Sequence, residues 1–189
     1  MGTVSRDLLQ ATSCPVLVVP ESAHRWQANP ASRANAVVTG LADDPLSGRV
    51  LRTAVDEAVI RRVPVEILHG YTAAYGESDA DARSRATARC DELIDAVRDG
   101  HAGWTGIHRT VVLTREPAAD ALRRRSTAAS VIVLGARGPA ALAGLSPTSV
   151  ARSVVGGARC PVLLVVPGTS ARTSPGSGVR ADQDVALPR

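Results

Sequence analysis

The sequence lacks phenylalanine and lysine, and it is poor in aromatic residues of every kind. Its 189 residues include two Trp and two Tyr, and all 22 basic residues are arginine. A core without large aromatic side chains has to be built from Val, Leu, Ile and Ala, which suits a sheet covered by helices. Hydrophobic residues make up 44% of the chain, so the material for such a core is present.

Long apolar runs and paired cysteines are also missing. No run approaches the roughly 20 residues of a transmembrane helix, and no basic flank, apolar stretch and cleavage site form a secretory signal. The three cysteines, Cys14, Cys90 and Cys160, fit neither a disulfide framework nor a zinc site. This usage is typical of buried thiols in a reducing compartment. We therefore expect a cytoplasmic protein with no membrane partner.

The formal net charge of +4 does not by itself indicate nucleic-acid binding. The arginines are scattered among acidic residues along stretches with helical periodicity. The one dense run, Arg123 to Arg125, ends such a stretch, where cations complement the helix dipole. This pattern favours a solvated surface over a nucleic-acid patch, and we expect no nucleic-acid partner.

Short apolar segments alternate with amphipathic ones from residue 36 onwards. Helices are predicted to begin at Ser47, as the N-cap, and over Asp79–Arg98. The alternation predicts an α/β fold with a doubly wound parallel sheet of five strands. The predicted strands are Ala36–Leu41, Val63–His69, Ile107–Leu113, Ser130–Leu134 and Pro161–Val166. Ligands bind such sheets beyond the carboxyl ends of the strands, where the strand order reverses.

The segment after the fourth predicted strand carries the strongest chemical signal. It begins with Gly135 and Gly138, and after nine intervening residues a helix begins at Thr148 and Ser149. Glycine lets the backbone approach a ligand closely, and a helix start offers amide N–H groups, hydroxyls and a positive dipole end to a phosphate. A plain strand–loop–helix turn with Thr148 as N-cap fits the spacing equally well.

From about Ala36 to Pro167 the chain resembles the universal stress proteins. Their signature is Gly, two residues, Gly, nine residues, Gly and then Ser or Thr, and Gly135, Gly138 and Ser149 match it. The Cys-Pro-Val strand at Cys160 is also typical of them. The resemblance implies a Rossmann-like domain of the adenine-nucleotide α-hydrolase-like superfold. It also implies ATP or AMP binding in one subgroup, and dimerisation through the last strand.

The sequence departs from the family pattern at three positions. Thr148 replaces the third glycine of the signature, and Arg115 replaces a glycine before the third helix of the domain. Nucleotide-binding members have an Asp two residues after the glycine that Gly40 matches, and Ala42 stands there instead. The adjacent Asp43 can replace that Asp only if the turn shifts by one residue.

The predicted nucleotide-binding residues lie on strand ends and in the Gly-rich loop. No catalytic residue and no metal ligand is predicted. Arg137 is the candidate for a charged phosphate contact. The full set is Gly40, Asp43, His69, Gly135, Arg137, Gly138, Thr148, Ser149 and Val150.

Three function hypotheses stay open at this point. The first is a non-enzymatic regulatory or binding module of the stress response that holds ATP or AMP. The second is an AMP-cleaving or AMP-transferring enzyme, for which Asp43 and Asp44 are the available carboxylates, although next to Pro45 they also fit a turn. The third is a truncated tandem protein without a ligand.

The first twenty residues repeat the end of the predicted domain. Residues 2–19 align without gaps with residues 148–165, and seven pairs are identical. The repeat divides the chain into the last helix and strand of a preceding domain (1–20), a linker (21–35), a complete domain (36–167) and a disordered tail (168–189). We expect Pro15–Val19 to pair antiparallel with Val162–Val166, within one chain or between two copies in a homodimer.

Overall fold

The computed structural model describes residues 14–21, 36–136 and 150–167 of the chain. The predicted N-terminal helix, the linker after residue 21, most of the Gly-rich loop and the tail lie outside these residues. The strands are β1 (Val16–Val18), β2 (Ala36–Leu41), β3 (Val65–Gly70), β4 (Arg109–Thr114), β5 (Ala129–Gly135) and β6 (Val162–Val165). The helices are α1 (Ser47–Arg61), α2 (Asp79–Arg98), α3 (Ala118–Arg125) and α4 (Val150–Gly157), with a short 3₁₀ turn at Ala102–Trp104.

All six strands belong to one sheet, in the order β1-β6-β5-β2-β3-β4. Strands β2 to β6 are parallel to one another, as the alternating sequence predicts. The predicted number of five strands is wrong, because β1 adds a sixth. It pairs antiparallel with β6 inside the chain, with Val16 opposite Leu164 and Val18 opposite Val162. β1 therefore covers the edge that the last parallel strand would otherwise expose.

Helices cover both faces of the sheet and divide the core into two layers. On one face, α1 and α2 bury residues such as Leu51 and Ile94 against Val37 of β2. On the other face, α3 and α4 bury Leu122 and Val154 against the opposite side of the same strands. Because neighbouring residues of a strand point to opposite faces, the continuous apolar runs of β2 and β5 supply both layers.

The starts of α1 and α2 agree with the sequence prediction to different degrees. α2 has the predicted bounds, and the Ser78 hydroxyl caps it by accepting a hydrogen bond from the Asp81 N–H at 3.1 Å. Ser47 is not the N-cap of α1 but its first helical residue. Its Oγ instead bonds across the preceding turn, accepting from the Ala42 N–H at 3.2 Å and donating to the Ala42 carbonyl at 2.5 Å. Ser47 therefore stabilises the turn that follows β2 rather than the helix end.

Within the described part of the chain, no helix has both the length and the apolar character that crossing a membrane requires.

Candidate nucleotide site

The pairing of β2 with β5 ends before either strand does, which leaves a candidate crevice at their carboxyl ends. The pairing of β2 with β5 stops at Thr39 opposite Val133. On its other side β2 stays paired with β3 as far as Leu41 and His69, and β5 stays paired with β6 as far as Gly135. The two strands therefore separate over their last two residues, at the point where the order of the parallel strands reverses. This is the place where doubly wound sheets bind ligands.

The β2 wall of the crevice consists of Gly40, Leu41 and the turn fixed by Ser47. A Cβ atom on Gly40 would lie 3.1 Å from Leu134 Cδ2 and 3.2 Å from Leu122 Cδ1. Gly40 thus leaves room for core side chains on the α3 face, so its role in the structure is at least partly one of packing. Ala42 is half-buried, and both its backbone polar groups bond to the Ser47 hydroxyl.

The acidic pair after β2 is engaged with neighbouring groups. Asp43 is exposed, and its carboxylate lies 3.1 Å from Arg89 Nε on α2. Asp44 accepts a hydrogen bond from the Leu46 N–H at 2.8 Å, as an aspartate in a turn commonly does. Asp43 therefore has a salt-bridge partner on α2, and Asp44 shapes the turn before α1. The carboxylates of Asp43 and Asp44 thus contact different groups in these two interactions.

His69 lies at the end of β3, beside the β2 wall. Its side chain is buried, and Nδ1 lies 3.2 Å from the Leu41 carbonyl oxygen. That distance suits a hydrogen bond donated by Nδ1–H to the carbonyl. The crevice thus has a buried imidazole one strand away from Leu41.

The β5 wall ends in Gly135 and Ala136. A Cβ atom on Gly135 would lie 2.9 Å from Leu46 Cδ2 and 3.2 Å from Val50 Cγ2, both from the start of α1. The Ala136 N–H donates to the Val165 carbonyl at 2.8 Å, so the chain is held to β6 as it leaves the sheet. Of the other predicted residues, Val150 begins the described part of α4 and is partly exposed. Arg137, Gly138, Thr148 and Ser149 lie outside the described residues.

Arg115, one of the three departures from the family pattern, follows β4 at the same end of the sheet. It lies 3.2 Å from Asp79 at the start of α2. The loop between β3 and α2 is held by a second cation, because Arg85 pairs with Glu77 at 2.9 Å and bonds the Thr72 carbonyl. The hydrogen bond from Arg85 lowers the pKa of the Glu77 carboxyl.

One residue of this region was missed by the sequence reasoning. Arg49 lies in the first turn of α1, is half-buried, and reaches the carboxyl end of β6, with Nη1 3.4 Å from the Val166 carbonyl oxygen. The signal in the sequence that could have identified Arg49 was its position near the start of a helix. A cation in the first turn of a helix opposes the helix dipole, and α1 begins at the carboxyl end of the sheet. Among the described residues, no three His, Cys, Asp or Glu side chains form a metal-ligand group.

Comparison with known proteins agrees with this architecture. The model of the universal stress protein family matches residues 34–166. Among curated relatives, universal stress protein Rv2623 of Mycobacterium tuberculosis is 30% identical over 174 residues, covering 87% of this chain and 55% of its own length. The chain thus spans about half the length of the curated relatives it matches. It belongs to the universal stress protein family.

Solved structures have the same fold. A universal stress protein from Archaeoglobus fulgidus is 26% identical, with a TM-score of 0.50, and the match covers 69% of this chain and 97% of that one. A universal stress protein solved in complex with cAMP is 23% identical, with a TM-score of 0.54, and the match covers 69% of this chain and 96% of that one. At this identity the second likeness bears on the fold alone.

Proposed function

We propose that this protein is an adenine-nucleotide-binding module of the stress response, and that it acts by binding rather than by catalysis. The nucleotide, AMP or ATP, lies over the carboxyl ends of β2 and β5. Its adenosine part faces Leu41 and His69, and its phosphates lie towards the chain that leaves β5 at Gly135. Arg137, Gly138, Thr148 and Ser149 complete the phosphate contacts.

The observation that carries this proposal is the separation of β2 from β5 beyond Thr39 and Val133. It opens the sheet where a ligand can reach backbone groups on both strands, at the position that the topology favours. The Gly-rich signature after β5 adds the groups that phosphates require. Membership of the universal stress protein family is consistent with this function. The cAMP-bound relative demonstrates ligand binding by that protein only.

Binding rather than turnover follows from the groups at the crevice. General acid–base chemistry needs a carboxylate or imidazole within reach of the reacting atom. Among the described residues, Asp43 pairs with Arg89 and Asp44 accepts from the backbone of its own turn. His69 Nδ1 contacts the Leu41 carbonyl, and in this proposal the ring faces the adenosine part rather than the phosphates. We therefore expect ATP to persist for hours with stoichiometric protein. Rapid multiple-turnover hydrolysis that disappears in Asp43→Asn would replace the proposal with the enzyme hypothesis.

Isothermal titration calorimetry of the full chain with AMP and with ATP, each with and without magnesium, tests the binding itself. We expect saturable binding of one nucleotide per chain, with modest affinity, because Ala42 and Thr148 each replace a favourable residue. GTP at the same concentration is the control for base recognition. Absence of measurable binding to either adenine nucleotide would overturn the proposal.

A gain-of-affinity variant tests the reason for the modest affinity. The double change Ala42→Asp and Thr148→Gly restores the family residues at both positions, so we expect it to bind AMP and ATP more tightly than the natural chain. Leu17→Ala, on the exposed side of β1, is a control far along the sheet. Unchanged affinity in the double variant would mean that the crevice is not the binding site.

We also propose that β1 keeps the chain from associating through β6. An uncovered β6 would offer a row of unpaired backbone groups to a second copy. Val16 and Val18 pack against the core layer under α3 and α4, whereas Leu17 points to the other face and is half-exposed. The intrachain pairing therefore replaces the pairing between two copies that the family resemblance implies.

The double variant Val16→Asp and Val18→Asp releases β1 without shortening the chain. We expect it to form dimers or larger species in light scattering at concentrations where the natural chain is a monomer. Leu17→Asp places the same charge on the exposed side of the strand and is the matched control. A natural chain that is already dimeric, or a released variant that stays monomeric, would contradict the proposal.

A further inference from the structure

Three properties of Arg49 are not explained by the contacts described so far. It is half-buried and lies in the first turn of α1, and the one hydrogen bond that its guanidinium makes to another described residue is a long contact of 3.4 Å to the Val166 carbonyl. A guanidinium carries five donors, and a contact of this length is weak. The Val166 carbonyl therefore uses little of the hydrogen-bonding capacity of the Arg49 guanidinium.

The neighbouring cations differ from Arg49 in their electrostatic environment. Three other arginines lie at the carboxyl end of the sheet, and each forms an ion pair. Arg85 pairs with Glu77, Arg89 with Asp43 and Glu92, and Arg115 with Asp79. None of the ion pairs among the described residues includes Arg49. A partly buried cation without a carboxylate is costly, and near the positive end of a helix dipole it is more costly still.

The position of Arg49 relates it to the crevice. Its contact, Val166, directly follows Val165, which is paired with Gly135 and accepts from the Ala136 N–H. Neighbouring strands are about 5 Å apart, so the guanidinium lies about one strand away from the point where the chain leaves β5. The side chains of Leu46 and Val50, which flank Arg49 in the sequence, pack next to Gly135. An anion bound next to Gly135 would be within reach of this side chain.

We propose that Arg49 is a phosphate-binding residue of this site, and that it selects nucleotides with phosphate groups over adenosine. The inference rests on the proposed function, because it assigns a further contact to the same ligand. Arg49 exchanges the Val166 carbonyl for phosphate oxygens, with which a guanidinium forms two parallel charge-assisted hydrogen bonds. The bound phosphate supplies the ion-pair partner that Arg49 does not have among the described residues.

Calorimetry of the full chain with ATP, AMP, adenosine and inorganic tripolyphosphate tests this assignment. We expect Arg49→Gln to weaken ATP and AMP about tenfold and to leave adenosine unchanged, since charge-assisted phosphate contacts are strong. Arg49→Lys should recover part of the loss, because it keeps the charge but not the planar fork. Arg52→Gln, an exposed cation on the same helix, is the matched control and should bind like the natural chain.

The outcomes separate this inference from the proposed function. If the natural chain binds ATP and Arg49→Gln binds it equally well, or loses adenosine to the same degree, Arg49 is not a phosphate ligand, although the nucleotide site stands. If tripolyphosphate binds through Arg49 while AMP and ATP show no base-dependent binding, the phosphate contact stands and the nucleotide proposal falls. Binding of none of the four ligands overturns both.

Discussion

The two ends of the sheet differ in how their polar side chains are used. At the amino-terminal end, His101 is engaged on both ring nitrogens: Nδ1 accepts from the Gly103 N–H, and Nε2 lies 2.9 Å from Asp56. Arg109 lies over the Trp104 ring, 5.4 Å from its centroid. At the carboxyl-terminal end, β2 and β5 separate, and Arg49 has no carboxylate partner among the described residues. At the first end, His101 and Arg109 therefore interact with groups of the protein itself, whereas at the second end the Arg49 guanidinium has no carboxylate partner within the described part of the chain.

A groove at the amino-terminal end is a second place to look for a ligand. It has a volume of about 630 Å³ and is lined by residues such as Val59, Pro64 and Ile107. Its lining also includes Arg62 and His108, and the nearby His101 and Arg109 already have partners. A ligand site needs a few polar groups directed at one point. The comparison teaches that strand order, which favours the carboxyl ends of the strands, is a better guide to the candidate site in this fold than cavity volume.

The largest expected effect concerns Trp104, at the amino-terminal end. Truncating this buried side chain in Trp104→Ala should lower the free energy of unfolding by about 3–5 kcal/mol. Trp104→Phe should cost much less, because Trp104 Nε1 is buried without a hydrogen-bond partner in the described structure, and the change removes that donor. Urea unfolding measures both. If either folded variant loses nucleotide affinity, the two ends are not functionally separate.

A smaller effect is expected at Gly135, at the carboxyl-terminal end. Gly135→Val places a branched side chain where Leu46 and Val50 already lie, so α1 has to shift at the edge of the crevice. We expect AMP and ATP affinity to fall about tenfold or more, equivalent to about 1.4 kcal/mol, with the fold retained in circular dichroism. Gly100→Val, at the opposite end, meets no atom within 4 Å and is the control. Equal affinities in the two variants would remove Gly135 from the site.

Gly106 gives a purely structural contrast at the amino-terminal end. Its φ of +95° is a conformation that alanine adopts only with strain. Gly106→Ala should therefore destabilise the protein by about 1 kcal/mol, seen as a lower midpoint of thermal unfolding, and should not alter nucleotide affinity. Gly100→Ala, at an ordinary φ, should have a smaller effect. Equal melting temperatures in the two variants would contradict this account of the turn.

The smallest expected effect is a difference in thiol reactivity within the core that joins the two ends. Burial raises the pKa of Cys90 to about 11 and that of Cys160 to about 12, so neither thiol supplies thiolate at pH 8. Cys14 is exposed. A disulfide reagent at pH 8 should titrate one thiol in the native protein and three in denaturant. Rapid reaction of a second native thiol would indicate that the core opens.

These raised pKa values also fix a direction for stability against pH. The folded state holds the Cys90 and Cys160 protons more tightly than the unfolded chain, whose thiols titrate near pH 9. The stability contributed by the neutral thiols is thus complete below about pH 9 and is lost as pH rises towards 11 and 12. Cys90→Ala should flatten the fall in unfolding free energy above pH 9. An unchanged slope would show that Cys90 does not contribute to it.

Much of the fold could be predicted from the sequence, because its periodicity is strong and consistent. The apolar run Ala36–Leu41 is β2 at the predicted bounds, and the apolar stripe over Asp79–Arg98 predicted α2 at the bounds that the structure has. The repeated Cys-Pro-Val segment likewise indicated where β1 pairs. The strand number was wrong because the repeated segment joins the same sheet. Ser47 was misjudged because a hydroxyl near a helix start can bond backwards across a turn as well as cap the helix.

The site was harder to predict, because its decisive features are relations between distant segments. No local pattern reveals that β2 and β5 separate after Thr39 and Val133. The role of Gly40 also depends on Leu122 and Leu134, which are remote in sequence. Arg49 is one arginine among many until the topology brings α1 next to the end of β6. The pattern therefore predicts the end of the sheet at which the proposed ligand binds, and the tertiary structure shows which side chains lie there.

The most direct test of the account is backbone amide NMR of the full chain during a titration with ATP. The account predicts shift changes that saturate and are centred on Gly40, Leu41, Gly135 and Ala136, with little change at the amino-terminal end. Changes centred instead on Gly103, Gly106 and Ile107, or no saturable change at all, would contradict the claim that the separated ends of β2 and β5 form the nucleotide site.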